Sequence, residues 1–346
     1  MEEKITGGEM EFDLSATGRP KVNSLTDLGT SHASGRAALY AILMALSRKG
    51  INNILLPEYI CPTVVTTVTA AGFTYRYYRI DEEFRPDIND VAAKADDASA
   101  VLVVNYFGLQ NLTETIRAIK SRIPSGKIIE DDVQAFFSYI SRQSPVADYS
   151  FTSLRKWFPV PDGGLARSLT DDITSPGEQN GFWDKKLSGL VLKGLRDSLG
   201  SIDKVYLGLL REGEELIDKS LSATGSAITR AVIERTDFIE TASIRRNNSA
   251  VILSGLADIG LEPMIRPDSD SVPFFIPVRL DDRDSVRREL FRHNIFCPVH
   301  WPADDVITGL GTVMSEQELS IIIDQRYGLE DMERILEVLS TAIRQS

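Results

Sequence analysis

Lys156 closes the run Ser150-Phe151-Thr152-Ser153-Leu154-Arg155-Lys156, and Asp162-Gly163-Gly164 lies just beyond it. A lysine just beyond a strand, with hydroxyls before it and a Gly-Gly turn after it, suits an amine that forms an imine. Such an amine must be held in place and lose its proton before it attacks a carbonyl. The hydroxyls of Ser150 and Ser153 suit a phosphate, and the glycines let backbone approach closely. On this segment alone, a solvated lysine beside a loop is the commoner outcome.

A second group is Glu130-Asp131-Asp132-Val133-Gln134-Ala135, after an apolar strand. An aspartate at a strand's carboxyl end can face a protonated ring nitrogen and keep it protonated, which makes the ring an electron sink. Three acids in a row also suit Mg²⁺, or a plain solvated loop. A third group, Ser34-Gly35-Arg36, opens a helical run. Free N–H groups and the helix dipole favour an anion there, although many helices begin with serine.

The elements that must position these groups alternate. Residues 1 to 32, with Gly7-Gly8 and Gly18, read as an irregular arm. Ala37 to Ser47 reads as a helix, Ile54 to Leu56 as a strand, Thr63 to Ala71 as a helix ending at Gly72, and Tyr75 to Ile80 as a strand. A helix around Ile88 to Ala95 leads to Ala100 to Val104, an apolar run typical of a strand buried on both faces. Helix Leu112 to Ser121 and strand Lys127 to Glu130 come next, then short strands Tyr149 to Leu154 and Gly164 to Arg167. This alternation predicts βαβ units and a mostly parallel sheet, with ligands at the carboxyl ends of the strands.

From about Asn180 to Arg246 the pattern is almost wholly helical. Strand Pro273 to Val278, helix Ser285 to His293, strand Ile295 to His300 and helix Met332 to Ile343 then predict a small α/β domain. The expected division is an arm at 1–32, a large domain at 33–240 and a small C-terminal domain at 241–346.

The 346 residues carry a net charge of −12, which argues against a nucleic-acid partner. Cys61 and Cys297 are the two cysteines, and there are three histidines. Neither a disulfide framework nor a Cys/His metal site is expected. The start lacks an apolar signal region, and no uninterrupted apolar run reaches the roughly 18 residues of a membrane span. A cytoplasmic protein with no membrane partner and no metal is the expectation.

Taken in order, these segments resemble the fold-type-I enzymes that use pyridoxal 5′-phosphate (PLP), and more narrowly the DegT/DnrJ/EryC1/StrS family of sugar aminotransferases. The likeness runs from about Gly7 to Tyr327. Ser34-Gly35 with Ala37-Ala38-Leu39 is similar to that family's phosphate-binding turn. Pro57-Glu58-Tyr59 resembles its segment that lays an aromatic over the ring, a place that register could also give to Cys61. Asn105-Tyr106-Phe107-Gly108 resembles its His-x-x-Gly stretch, and Glu130 to Ala135 its Glu-Asp-x-Ala-Gln-Ala motif. Lys156 keeps the family's spacing to Gly163-Gly164. The chain departs from the pattern at Arg36, where the family usually has threonine. It departs again at Phe151, where the family usually has serine, and at Asp162, where it usually has glutamate. Leu154 to Pro159 also differs, so the branch is divergent.

The resemblance implies a PLP-transferase fold of type I, with Lys156 as the Schiff-base lysine and Asp131 facing the pyridine nitrogen. Gln134 would lie near the phenolic oxygen, and Ser34, Gly35, Arg36, Ser150 and Ser153 near the phosphate. Tyr59 would stack on the ring. Arg245-Arg246-Asn247-Asn248 resembles the family's Arg-rich helix, and Pro298-Val299-His300-Trp301-Pro302 its His-Tyr-x-Pro segment. His300 and Arg326 are therefore substrate-side candidates. A strand-end histidine with a packing role and a surface arginine are the alternatives. The implied activity moves an amino group from glutamate to a nucleotide-linked keto-sugar, at a homodimer interface. A PLP-dependent dehydratase or amino-acid aminotransferase, and a non-catalytic PLP-fold binding protein, are the rivals.

Overall fold

The computed structural model describes residues 4–12, 25–96, 99–141, 145–170, 173–174, 177–199, 205–302 and 309–345. In chain order the strands are β1 (Thr6–Gly7), β2 (Thr30–His32), β3 (Asn53–Pro57), β4 (Thr74–Tyr78), β5 (Ser99–Val104), β6 (Lys127–Asp131), β7 (Tyr149–Ser153) and β8 (Gly164–Ser168). Then come β9 (Glu178–Gln179), β10 (Ala223–Thr224), β11 (Phe275–Arg279), β12 (Ile295–Phe296) and β13 (Glu318–Ile322). The helices are α1 (Gly35–Ser47), α2 (Pro62–Ala70), α3 (Ile88–Lys94), α4 (Thr113–Arg122), α5 (Phe136–Ser141), α6 (Leu154–Trp157) and α7 (Trp183–Leu199). The rest are α8 (Val205–Ile217), α9 (Ala227–Ile233), α10 (Phe238–Asp258), α11 (Arg283–Arg292), α12 (Leu310–Gln317) and α13 (Leu329–Gln345).

A seven-stranded sheet in the order β2-β8-β7-β6-β5-β3-β4 forms the main body. The pairs β4–β3–β5–β6–β7 are parallel, and β8 runs antiparallel to both β7 and β2. Every residue of β5 is buried, as its unbroken apolar run requires when helices cover both faces. Helix α1 starts at Ser34, whose hydroxyl accepts from Ala37 N, and α2 starts with Pro62 at its first turn.

The expected elements differ from these at several points. The arm expected at 1–32 is partly regular: Thr30–His32 is an edge strand on β8, and Thr6–Gly7 pairs with β12. Gly18 lies outside the described residues. The strand expected over Ile295 to His300 stops at Phe296, because Pro298 offers no N–H to a ladder. Strand β13 has no counterpart among the expected elements. It runs antiparallel to β11 with all five residues buried, and it begins with a buried glutamate that polarity alone assigns to the surface. In α10 the buried face is Thr241, Ala242, Arg245, Asn248, Ser249, Ile252 and Leu256. Its spacing is helical but more than half its members are polar, which is why the apolar stripe is faint.

Candidate active site

A cavity of about 660 Å³ opens at the carboxyl ends of β5, β6 and β7, where Val104, Asp131 and Ser153 line it. Residues 7–10 and the segments around β11 and β12 close its other side. Parallel α/β sheets place ligands at such strand ends, and the volume suits a small-molecule site.

Lys156 stands in this cavity on the single turn α6. Among the described residues its Nζ has no hydrogen-bond or ion-pair partner. The side chain is accessible because the cavity admits solvent, yet protein surrounds it. Burial, and then the charge of Arg155, pull its ammonium below the ordinary lysine range. Cys61, Glu214 and Glu9 oppose that shift. The result favours an amine able to give up its proton.

Asp131 is the last residue of β6. One carboxylate oxygen accepts from Val133 N at 2.9 Å; the other has no partner among the described residues. Burial pushes its carboxyl up to about 7; the Val133 N–H opposes this and Asp132 adds to it. A buried carboxyl with so little support is matched by a cationic N–H, and a protonated ring nitrogen is one. Strand alternation separates the three acids: Asp131 lines the cavity, whereas Asp132 is fully buried beside Asn105, whose Nδ2 donates to it at 3.3 Å.

Gln134 also lines the cavity. Its Oε1 accepts from Phe107 N at 3.0 Å, which turns its amide N–H₂ toward other acceptors. Phe107 itself has a positive φ of 56°, a strained backbone for a bulky residue, and this hydrogen bond helps hold it.

The opening of α1 forms the opposite end. Ser34 caps Ala37 N at 3.1 Å, leaving the N–H groups of Gly35 and Arg36 at the helix mouth. A Cβ on Gly35 would lie 3.2 Å from Ser153 Cβ, so the turn and that serine are nearly in contact. Arg155 Nε is buried there without a partner among the described residues. Gly164 carries this turn from below: a Cβ on it would collide with the Ser34 carbonyl.

Several expected residues are placed differently. Ser150 faces away from the cavity, because strand alternation puts Phe151 and Ser153 on the cavity side of β7; it lines a separate groove with Asp148 and Arg167. Tyr59 is buried and does not line the cavity. Its hydroxyl donates to His300 O, and its ring packs on Tyr106, Phe84 and Trp301. Ile60 and Cys61 line the cavity instead. Arg36 does line the cavity, but its guanidinium is paired with Glu214 at 2.7 Å and Asp218 at 2.9 Å. Glu214 also binds Arg155 and Lys186 at 3.0 Å each; although burial pushes it up, Arg155, Lys186 and Arg36 hold its carboxyl far below the usual range. Arg326 does not line the cavity: it binds Asp324, Glu11 and the carbonyls of Gly8 and Glu9, tying the N-terminal segment down.

His300 does line the cavity. So does Arg245, which the sequence marked only as part of an Arg-rich helix. It is fully buried, with Nε donating to Gln325 Oε1 at 2.7 Å and Nη1 donating to the carbonyls of Pro273 and Phe274. Its guanidinium lies 4.6 Å from the ring centre of Trp157, and Gln325 Nε2 donates to Trp157 O at 2.6 Å. Arg245 and Gln325 thus clamp the residue after Lys156, and nothing in helical periodicity signals that.

No protein-family profile matches this sequence, and no curated protein does. Solved structures do. The PMP form of Spr1654 from Streptococcus pneumoniae, a sugar aminotransferase by assignment, matches with a TM-score of 0.70 and 13% identity over 99% of this chain and 98% of that one. The sugar aminotransferase CalS13 from Micromonospora echinospora matches at 0.64 and 16% over 98% of both chains. DesV of S. venezuelae matches at 0.63 and 20% over 90% of this chain and 84% of that one. The chain therefore has the type I PLP-transferase fold. Identities this low establish the architecture alone.

Proposed function

We propose that this protein is a PLP-dependent aminotransferase that carries an amino group from glutamate to a nucleotide-linked keto-sugar. One observation carries the reading: a lysine amine and a buried carboxyl oxygen, both without a partner among the described residues, line one cavity with an open helix N-terminus.

The residues present fit PLP. The N–H groups of Gly35 and Arg36, Ser153 and the unpartnered Arg155 Nε would hold its phosphate. Asp131 would face its ring nitrogen, and Gln134 its phenolic oxygen. When bound, PLP supplies an aldehyde that condenses with amines and a ring that draws electrons from the attached carbon. Asp131 would hold a proton on the ring nitrogen. Lys156 Nζ would take the proton from the α-carbon of the amino donor. Burial and the Arg155 charge lower the basicity of Lys156, which eases loss of the ammonium proton. The clamp on Trp157 fixes where that amine can reach.

The reading includes a large domain at 33–240, a small domain at 241–346, a homodimer with the site at its interface, and a cytoplasmic location. Among the described residues no helix is long and apolar enough to cross a membrane.

The test is the absorbance of purified protein with PLP, before and after glutamate. A band near the visible edge that moves to shorter wavelength with glutamate is expected, and Lys156→Ala should abolish it while leaving the fold intact. A band indifferent to glutamate would replace the donor with another or the reaction with a dehydration. No band in folded protein would remove the reading.

A further inference from the structure

His300 is held with more care than a packing histidine needs. Its backbone N–H donates to Glu318 Oε2 at 2.8 Å, and the Tyr59 hydroxyl donates to its carbonyl. Its ring stands among Phe107, Phe275 and Trp301, with ring centres 5.6, 5.7 and 5.2 Å away. Nδ1 lies 3.1 Å from Ser320 Oγ and 3.5 Å from Glu318 Oε2. Ser320 Oγ in turn donates to Glu318 Oε1 at 2.5 Å. Glu318 and Ser320 are fully buried on β13, and Arg283 donates to the Glu318 carbonyl at 3.0 Å.

Counting protons along this chain fixes the tautomer. A carboxylate only accepts, so Glu318 takes the single hydroxyl proton of Ser320. Ser320 Oγ then has only lone pairs left for His300. Nδ1 must therefore carry a proton and donate it. In the neutral ring this leaves Nε2 unprotonated, the reverse of the form that predominates in free histidine. Nε2 has no partner among the described residues, and His300 lines the cavity.

We propose that Glu318 and Ser320 are positioning residues that lock His300 as its Nδ1–H tautomer, so that Nε2 accepts a hydrogen bond from a hydroxyl of the second substrate. The use of that hydroxyl rests on the aminotransferase reading; the tautomer does not. An accepting nitrogen favours a polyhydroxylated substrate over one that presents a carboxylate at that point, because two acceptors repel.

The experiment is ¹⁵N NMR of the imidazoles in the full-length protein, without cofactor or substrate, at a pH where the rings are neutral. Three histidines, assigned by single substitution, make the spectrum tractable. His300 should show a protonated Nδ1 and an unprotonated Nε2, in excess of the other form by roughly tenfold or more. Glu318→Gln should invert this. Its amide oxygen keeps the bond from His300 N, and its N–H₂ then donates to Ser320, which must pass its own proton to Nδ1. Ser320→Ala should leave a mixture, and Ser320→Thr should restore the wild-type spectrum. An Nε2-protonated or doubly protonated ring in the wild type, or an unchanged tautomer in Glu318→Gln, would overturn the proposal. Either result would leave the PLP absorbance test untouched.

Discussion

Replacing Asp131 by asparagine should make the cofactor-free protein more stable. The carboxyl is buried at the end of β6 with one backbone N–H for support, and burial raises it from 3.8 to about 7. The folded chain therefore binds this proton more tightly than the unfolded chain. Stability falls as pH rises across that interval, and the loss is complete above about 7. At about 1.4 kcal/mol per pH unit the ceiling is about 4 kcal/mol, lowered by solvent that enters the cavity. The substituted asparagine carries no charge and can still accept from Val133 N. Urea unfolding of both cofactor-free proteins, from about pH 4 to about pH 8, measures the effect. The variant should gain up to about 4 kcal/mol at the alkaline end and converge with wild type at the acid end. His32, whose burial pulls its ring down to about 4, makes stability rise with pH between about 4 and its unfolded value. It does so in both proteins and cancels in the difference. With PLP added the order should reverse, because only the carboxylate pairs with a protonated ring nitrogen. A variant less stable at the alkaline end, or a difference flat across pH, would refute the reasoning.

Other variants separate neighbouring residues. Ser153→Ala should weaken PLP binding by roughly tenfold to a hundredfold, the loss of one hydrogen bond to a charged group, whereas Ser150→Ala should leave it unchanged in the same titration. Gly164→Ala drives a Cβ into the Ser34 carbonyl, so it should cost about 3 kcal/mol in chemical unfolding and lower PLP affinity through the displaced turn. Tyr59→Phe keeps the ring packing but removes the hydroxyl that holds His300 O. It should leave the PLP band in place and cost about 1 kcal/mol in unfolding, with no loss of ring stacking on the cofactor.

The local chemistry was legible in the chain because it is local. An apolar run bounded by turn residues declares β5, a serine before an alanine-rich stretch declares the start of α1, and an acid at the end of β6 falls at a sheet's ligand edge by topology. Lys156 with Gly163-Gly164 and the run through Asp131 and Gln134 could be singled out for the same reason. Their spacing is fixed by the few residues that join each strand to the next element.

What the tertiary structure decided is which face each side chain meets. Ser150 and Ser153 are equally good serines, and only the pleat of β7 sends one to the cavity and the other to a groove behind it. Tyr59 is an aromatic in the expected segment, but the cluster with Tyr106, Phe84 and Trp301 takes its ring. Arg36 and Arg326 carry the charge that an anion site needs, and acids already match it: Glu214 and Asp218 from α8 and beyond at Arg36, and Glu11 with the nearby Asp324 at Arg326. Arg245, Gln325 and Trp157 come from segments far apart in the chain, and His300 is brought to Ser320 and Glu318, neighbours on β13, from a segment outside that strand. A pattern read along the chain carries periodicity and turn chemistry; the partner of a buried polar group depends on which elements pack together, and that is set only when the whole core closes.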